Sequence, residues 1–307
     1  RLLRLLLLPT WHYFLWNSRP SLQVSTIKGK VQNTARAANL PVPRVWPDAN
    51  DNLVTIAGGS GWAVVDEAPG RVNPSAMTVP LAEHIGVVMG RMHRALAAYP
   101  LPGRVQQTRW RAEPVEDAVA KCDTVMTRAT RQGHDGLDQL RVDLDQRRED
   151  LRAHVHLLRE HLPATLVEQA LHADLSRTNL ITLADAVTGV IDFRCANAMP
   201  AWELGRTAFD PRTVATSTEW GACALAMARA YRSEHPSLPM REVRACARIA
   251  LLYMLFSFYG ATTAEYDLPL SDRGAVERPG LSGNGPNQKT APPGSLDGCR
   301  AVGIECG

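Results

Sequence analysis

One stretch of the chain gathers the residue types that phosphoryl transfer needs. Leu171-His172-Ala173-Asp174-Leu175-Ser176-Arg177-Thr178-Asn179-Leu180-Ile181 reads HxDxxxxN. Gly189-Val190-Ile191-Asp192-Phe193 then puts a second carboxylate at the end of an apolar strand, thirteen residues beyond Asn179. Phosphoryl transfer to an alcohol needs one carboxylate to position the hydroxyl and take its proton. It also needs an amide and a second carboxylate to hold Mg2+ against the nucleotide phosphates. Oxygen donors suit that hard cation, and phosphates and waters complete its shell. HxD alone says little, but the full pattern with an apolar-flanked Asp-Phe at this spacing is specific. The bland alternative for Asp174 and Asn179 is a turn closed by Asx hydrogen bonds.

Other candidates carry less. Gly58-Gly59-Ser60-Gly61 lacks the Lys-Ser/Thr and helix of a phosphate loop and reads as a hairpin turn. His154, His156 and His161, two and five residues apart, fall on different faces of a charged helix and do not make a metal site. His93, on an apolar helix, reads as a hydrogen-bonded core residue. Cys195 has no paired general base in the sequence and reads as an inert small residue.

The elements around the motif follow from periodicity. Residues 11–27 favour strand, broken by a turn at 17–20, and 28–39 favour a short helix that stops at Asn39 and Pro41-Val42-Pro43. Leu53–Ile56 and Trp62–Asp66 read as a hairpin, ended by Pro69-Gly70. Leu81, Ile85, Val88, Met89, Met92 and Leu96 form one helical stripe. Further helices are expected over 113–132, 136–162, 213–233 and 240–264, with short strands at 180–182 and 189–193. Residues 279–307 hold seven Gly and four Pro, and from 268 onward the chain is expected to be a disordered tail.

Composition bounds the partners. The 307 residues carry 34 basic and 31 acidic groups, a net +3 without the concentrated basic face of a nucleic-acid binder. The seven basic groups of residues 1–47 face no acid, and the remainder carries 27 basic against 31 acidic groups. Six cysteines without a CxxC pair fit reduced thiols and a cytoplasmic setting. The opening RLLRLLLLPTWHYFLW lacks a small-residue cleavage site and falls short of the roughly 20 apolar residues of a membrane span, so strands of a sheet whose beginning is missing are expected there.

Taken with its surroundings, the motif resembles the aminoglycoside phosphotransferase and choline kinase superfamily, whose usual wording is HGDxxxxN followed by IDF or IDW. Leu40-Pro41-Val42-Pro43 resembles that superfamily's "glPvP", and Trp62–Gly70 its hinge. Gly90-Arg91-Met92-His93 resembles its "LxxLH" helix, and Pro200-Ala201-Trp202-Glu203-Leu204 its "PxxDLA". The resemblance covers about residues 11–265. It implies an α+β, protein-kinase-like bilobal fold with a small antiparallel-sheet N-lobe and a mainly helical C-lobe. The N-lobe would span 1–66, the hinge 67–70 and the C-lobe 71–267, with a catalytic loop at 171–181 and a metal strand at 189–193.

The resemblance also implies roles. Asp174 would be the catalytic base, His172 the loop residue that fixes the backbone, and Asn179 and Asp192 the metal ligands. Asp66 and Ala68 would meet adenine at the hinge, and Glu203 and Arg206 would serve the substrate. By the same match Glu203 would support either the metal loop or the substrate, and it has a further reading as a helix cap or a salt-bridge partner of Arg206. The implied activity is ATP- and Mg2+-dependent phosphorylation of a small-molecule hydroxyl, on an aminoglycoside, amino alcohol or sugar. Nucleotide and small molecule would be the partners, with no nucleic acid or membrane, in a monomer or homodimer.

The departures are specific. Ala173 stands where the superfamily usually has Gly, and Trp16 where its strand lysine should be. No glycine precedes Gly29 and no acid precedes Asp48. Lys28 and Lys30 are the only lysines near enough in sequence to reach phosphate instead. These losses support an alternative, a catalytically impaired kinase-like protein that binds nucleotide or metabolite as a sensor or scaffold.

Overall fold

The computed structural model describes residues 2–6, 12–18, 22–57, 60–72, 77–101, 109–133 and 135–258. The expected tail from 268 onward lies outside them, as do Cys299 and Cys306. The described residues divide into two units, one within Arg1–Gln107 and Pro163–Ala247, the other within Thr108–Leu162 and Arg248–Gly307.

The first unit opens with strands β1 (Leu2–Leu6) and β2 (His12–Ser18) and helix α1 (Leu22–Ala37), followed by β3 (Val45–Trp46), β4 (Thr55–Ala57) and β5 (Ser60–Asp66). β5 is the hub of this antiparallel sheet and pairs with β2, β3 and β4, while β1 lies beyond β2. Trp16 of β2 pairs with Ala63 of β5, so the Trp16 position is on a strand, as the pattern requires. Residues 22–27, expected as strand, form the first turns of α1. Their β-branched residues are read correctly by propensity and overruled by burial: Ile27 packs against the main core, and Val31 and Ala35, one helical turn apart, are fully buried in it.

A two-residue strand, β6 (Arg71–Val72), leads to α2 (Val79–Leu96). The Thr78 hydroxyl caps α2 by accepting from the Leu81 amide, and Pro80 sits in its first turn. The stripe expected on α2 is the stripe it buries, from Leu81 to Leu96.

The second unit contains α3 (Arg109–Ala112), α4 (Val115–Arg131) and α5 (Leu137–Glu160). α4 and α5 are joined by Arg148–Asp123 and Arg152–Glu116 ion pairs. The Arg159 guanidinium donates to the carbonyls of Trp110 and Glu113.

Back in the first unit come β7 (Gln169–Leu171), β8 (Leu180–Leu183), β9 (Ala186–Val190) and β10 (Ala196–Ala198), then α6 (Pro200–Ala208), α7 (Pro211–Thr216), α8 (Trp220–Glu234) and α9 (Met240–Phe256), the last running into the second unit. The single helix expected over 213–233 is two helices. Between them Ser217 Oγ accepts from the Glu219 amide, one of the local side-chain bonds by which Ser and Thr compete with helix. α8 lies tightly against α2. A Cβ at Gly90 would come within 2.8 Å of the Tyr231 carbonyl, and one at Gly86 would collide with the Met227 backbone.

Candidate active site

The chain leaves and re-enters the site at one point, because Leu171 at the end of β7 pairs with Ala196 at the start of β10. Everything between is pinned by His172, which is fully buried. Its Nε2–H donates to the Ile191 carbonyl at 2.9 Å, and its Nδ1 accepts from the Asp174 amide at 3.2 Å. Its own carbonyl accepts from the amides of Arg194 and Cys195. One ring and one peptide thus join the HxD turn to the strand end that carries Asp192. Those partners require the neutral ring, and burial pushes the His172 pKa down against the opposing pull of Glu203 and the Ile191 carbonyl.

The turn is bought with backbone strain. Ala173, Asp192 and Cys195 all take left-handed φ values, of +65°, +58° and +58°.

Asn179 closes the loop from the other end. Its Nδ2 donates to the Asp174 carbonyl at 2.8 Å, and its own carbonyl accepts from the Ile191 amide at 3.0 Å. Asn179 therefore lies beside Ile191, the residue before Asp192. The amide is turned so that its oxygen is the atom able to face a cation, and Asp192 is exposed. Among the described residues no three His, Cys, Asp or Glu side chains form a metal cluster. One amide and one carboxylate suit Mg2+, which keeps waters and phosphate oxygens as its other ligands.

A single face of α6 grips the loop. Thr207 Oγ1 donates to the Leu175 carbonyl at 2.8 Å, and Glu203 Oε1 accepts from the Leu175 amide at 3.2 Å. Arg206 Nη2 donates to Asp174 Oδ1 at 2.5 Å. Glu203, expected to support the metal loop or the substrate, is fully buried, and its second oxygen meets His93 Nε2 at 2.9 Å. From inside the fold it braces the Leu175 amide of the catalytic loop. Burial alone would raise its pKa, but the His93 hydrogen bond, the adjoining His93 ring and the Leu175 amide together hold it below the usual carboxylate range. His93 is the bonded core residue expected of it, its Nδ1 3.0 Å from the Tyr231 hydroxyl.

The remaining expected residues lie further out. Lys28 is half-buried on α1, and its charge acts on Cys195, opposing the burial that pushes that thiol up to about 12. Lys30 is exposed two residues on, a spacing that does not share a helix face. The Asp66 amide donates to the Arg44 carbonyl, and its carboxylate accepts from Trp46 Nε1 at 2.6 Å. That carboxylate belongs to the sheet. Ala68 abuts Gly189, where an added Cβ would fall 2.6 Å from its own.

The Arg206–Asp174 pair was not foreseen. The signal was the spacing: positions 203, 206 and 207 share a helix face. An isolated helix reading pairs Glu203 with Arg206, whereas the loop separates them.

Comparison with known proteins fits this geometry. Residues 28–244 match the model of the phosphotransferase enzyme family (APH). A homoserine kinase of Zymomonas mobilis is 25% identical over 178 residues, 56% of this chain and 48% of that protein, so the match spans about half the relative's length. Among solved structures, an aminoglycoside phosphotransferase of Alicyclobacillus acidocaldarius superposes with a TM-score of 0.57 at 16% identity, over 86% of this chain and 82% of the other. The amicoumacin kinase hAmiN, solved with AMP-PNP, Ca2+ and Ami, gives 0.55 at 17% identity over 87% and 79%. These likenesses establish the α+β fold of kinase-like phosphotransferases.

Proposed function

Because the chain belongs to the phosphotransferase enzyme family, we propose that it moves the γ-phosphoryl group of ATP to a hydroxyl of a small molecule, with Asp174 as the base. Asp174 supports the reading most directly: its carboxylate is one-third exposed at the mouth of a loop whose backbone is fixed from both sides.

In this mechanism Asp174 aligns the acceptor hydroxyl and takes its proton. The alcohol oxygen forms its bond to the γ-phosphorus as the bond to the β–γ bridging oxygen breaks. The products are ADP, a phosphate monoester and a proton. Asn179 and Asp192 would hold Mg2+, which when bound offsets the charge of the phosphates. His172 contributes no proton; neutral and buried, it keeps both loops in register. Arg206 holds one oxygen of Asp174 and so presents the other to the acceptor. Lys28 or Lys30 would approach phosphate from α1, and the backbone of Asp66 and Ala68 would border the adenine.

The homoserine kinase relative and the antibiotic kinases of the same fold support a small alcohol as the acceptor class. The absence of a strand lysine at Trp16 favours the second reading, a nucleotide or metabolite binder without turnover. A Mg·ATP phosphorylation screen over aminoglycosides, amino alcohols and sugars separates the two. With an accepted substrate, Asp174→Asn should lower turnover by about 10²–10⁴ while nucleotide binding is kept. Turnover within threefold of the parent would remove Asp174 from its role.

A further inference from the structure

Of the acids that follow the metal strand, four are candidates to hold a polycationic acceptor: Glu203, Asp210, Glu219 and Glu234. Three are consumed by the fold. Glu203 is buried against His93, and Asp210 caps α7 by accepting from the Arg212 and Thr213 amides. Glu234 is taken by Arg91 and Arg94 of α2.

What meets the catalytic carboxylate instead is Arg206. Arg206 Nη2 lies 2.5 Å from Asp174 Oδ1, and the Arg206 side chain remains 19% exposed, its guanidinium 5.6 Å from the Trp202 ring centroid. Arg194, two residues after Asp192, is exposed, and so is Arg212 at the start of α7. Arg177 Nη1, at 3.4 Å from Thr213 Oγ1, ties the start of α7 to the catalytic loop.

We infer that the acceptor is an alcohol bearing its own anionic group, a carboxylate or a phosphate, and that Arg206 receives that group. The inference rests on Asp174 being the base. A hydroxyl held at about 2.7 Å from the second oxygen of Asp174 leaves an anion ~5 Å away within reach of the same guanidinium, whose planar fork matches both anions. A polycation would set ammonium groups against Arg206 at the point of reaction, and three of the four candidate acids are already engaged.

The test uses the full chain with Mg·ATP and matched acceptors: homoserine and its carboxamide, glycerate and glycerol, glycerol 3-phosphate, and kanamycin. Release of ADP and calorimetric binding are both read. The members that carry the carboxylate or phosphate should exceed their partners that lack it in kcat/KM by ~10–100-fold, the scale of a charge-assisted contact. Arg206→Gln should collapse that ratio, and Arg206→Lys should restore part of it. A merely structural role would lower all acceptors alike and leave the ratio intact. Glycerate set against glycerol 3-phosphate tells carboxylate from phosphate.

Preference for kanamycin or a neutral alcohol, or an acid preference that survives Arg206→Gln, overturns the inference. If no acceptor is phosphorylated, the kinase reading fails by itself and calorimetry decides the rest. Binding of the acids that is lost in Arg206→Gln upholds an anion site at Arg206, and no binding of any acid by the parent overturns it. Should Arg206→Gln fail to fold, Arg206→Lys carries the comparison, with a reduced acid-to-neutral ratio expected and an unchanged one decisive against it.

Discussion

Ala173 sits between the two residues that matter most in the HxD turn, at φ +65°. A Cβ in the left-handed region costs about 1–2 kcal/mol that glycine avoids. The turn persists because the His172 ring and the Asn179 amide hold both its flanks. Ala173→Gly should therefore raise the free energy of unfolding by about 1 kcal/mol, read from urea titration; a loss of similar size would show that the Ala173 methyl, which is fully buried, contributes more by packing than the backbone loses by strain. Asp192 shares the left-handed conformation but is exposed, so removing its carboxylate costs the fold little. In thermal melts, Mg·ATP at about 100 times its Kd should stabilise the parent by roughly 2.7 kcal/mol. Asp192→Ala should lose most of that stabilisation, and equal gains in parent and variant would show that Asp192 is not a ligand.

At the scale of elements, α2 and α8 show how closely two helices can approach through glycine. Gly86 and Gly90 lie one turn apart on α2 and face the backbone of Met227 and Tyr231. Gly86→Ala should destabilise the protein by about 1–3 kcal/mol, because its Cβ meets a main-chain carbonyl that cannot turn aside. Gly221→Ala in α8, where nothing stands within 4 Å, is the control and should stabilise by roughly 0.5–1 kcal/mol. Similar effects at both positions would contradict the close approach. The apolar stripe of α2 and the hairpin at 53–66 were legible because periods of 3.6 and 2 leave direct marks in sequence. Residues 22–27 were not, since Val24 and Ile27 favour strand locally and only the core that Ile27 meets selects helix. The site divides the same way. That His172, Asp174, Asn179 and the end of the strand before Asp192 come together was legible from their spacing. The bond between Glu203 and His93, 110 residues apart, was not legible, because no local pattern records such a distance.

Across the whole molecule, three histidines are held neutral by separate elements. His172 accepts the Asp174 amide at the catalytic loop, and His84 on α2 accepts the Val187 amide of β9. His235, after α8, is buried beside Tyr231. Burial pushes all three pKa values below the ordinary 6.5, with His235 reaching about 4. For a group whose folded pKa lies below its unfolded value, the unfolded chain binds the proton first. The stabilisation is therefore complete above about pH 6.5 and drains away as the pH falls toward the folded values. Each such histidine contributes a slope of up to about 1.4 kcal/mol per pH unit in that window. Unfolding free energies from urea titrations at pH 7.5, 6.5, 5.5 and 4.5 should be level over the first interval and fall increasingly over the next two. His235→Gln should flatten the fall between pH 6 and 4.5 by close to one proton. A stability that is flat or rising down to pH 4.5, or a variant with the parent's slope, would mean that these rings take up protons in the folded state as readily as in the unfolded one.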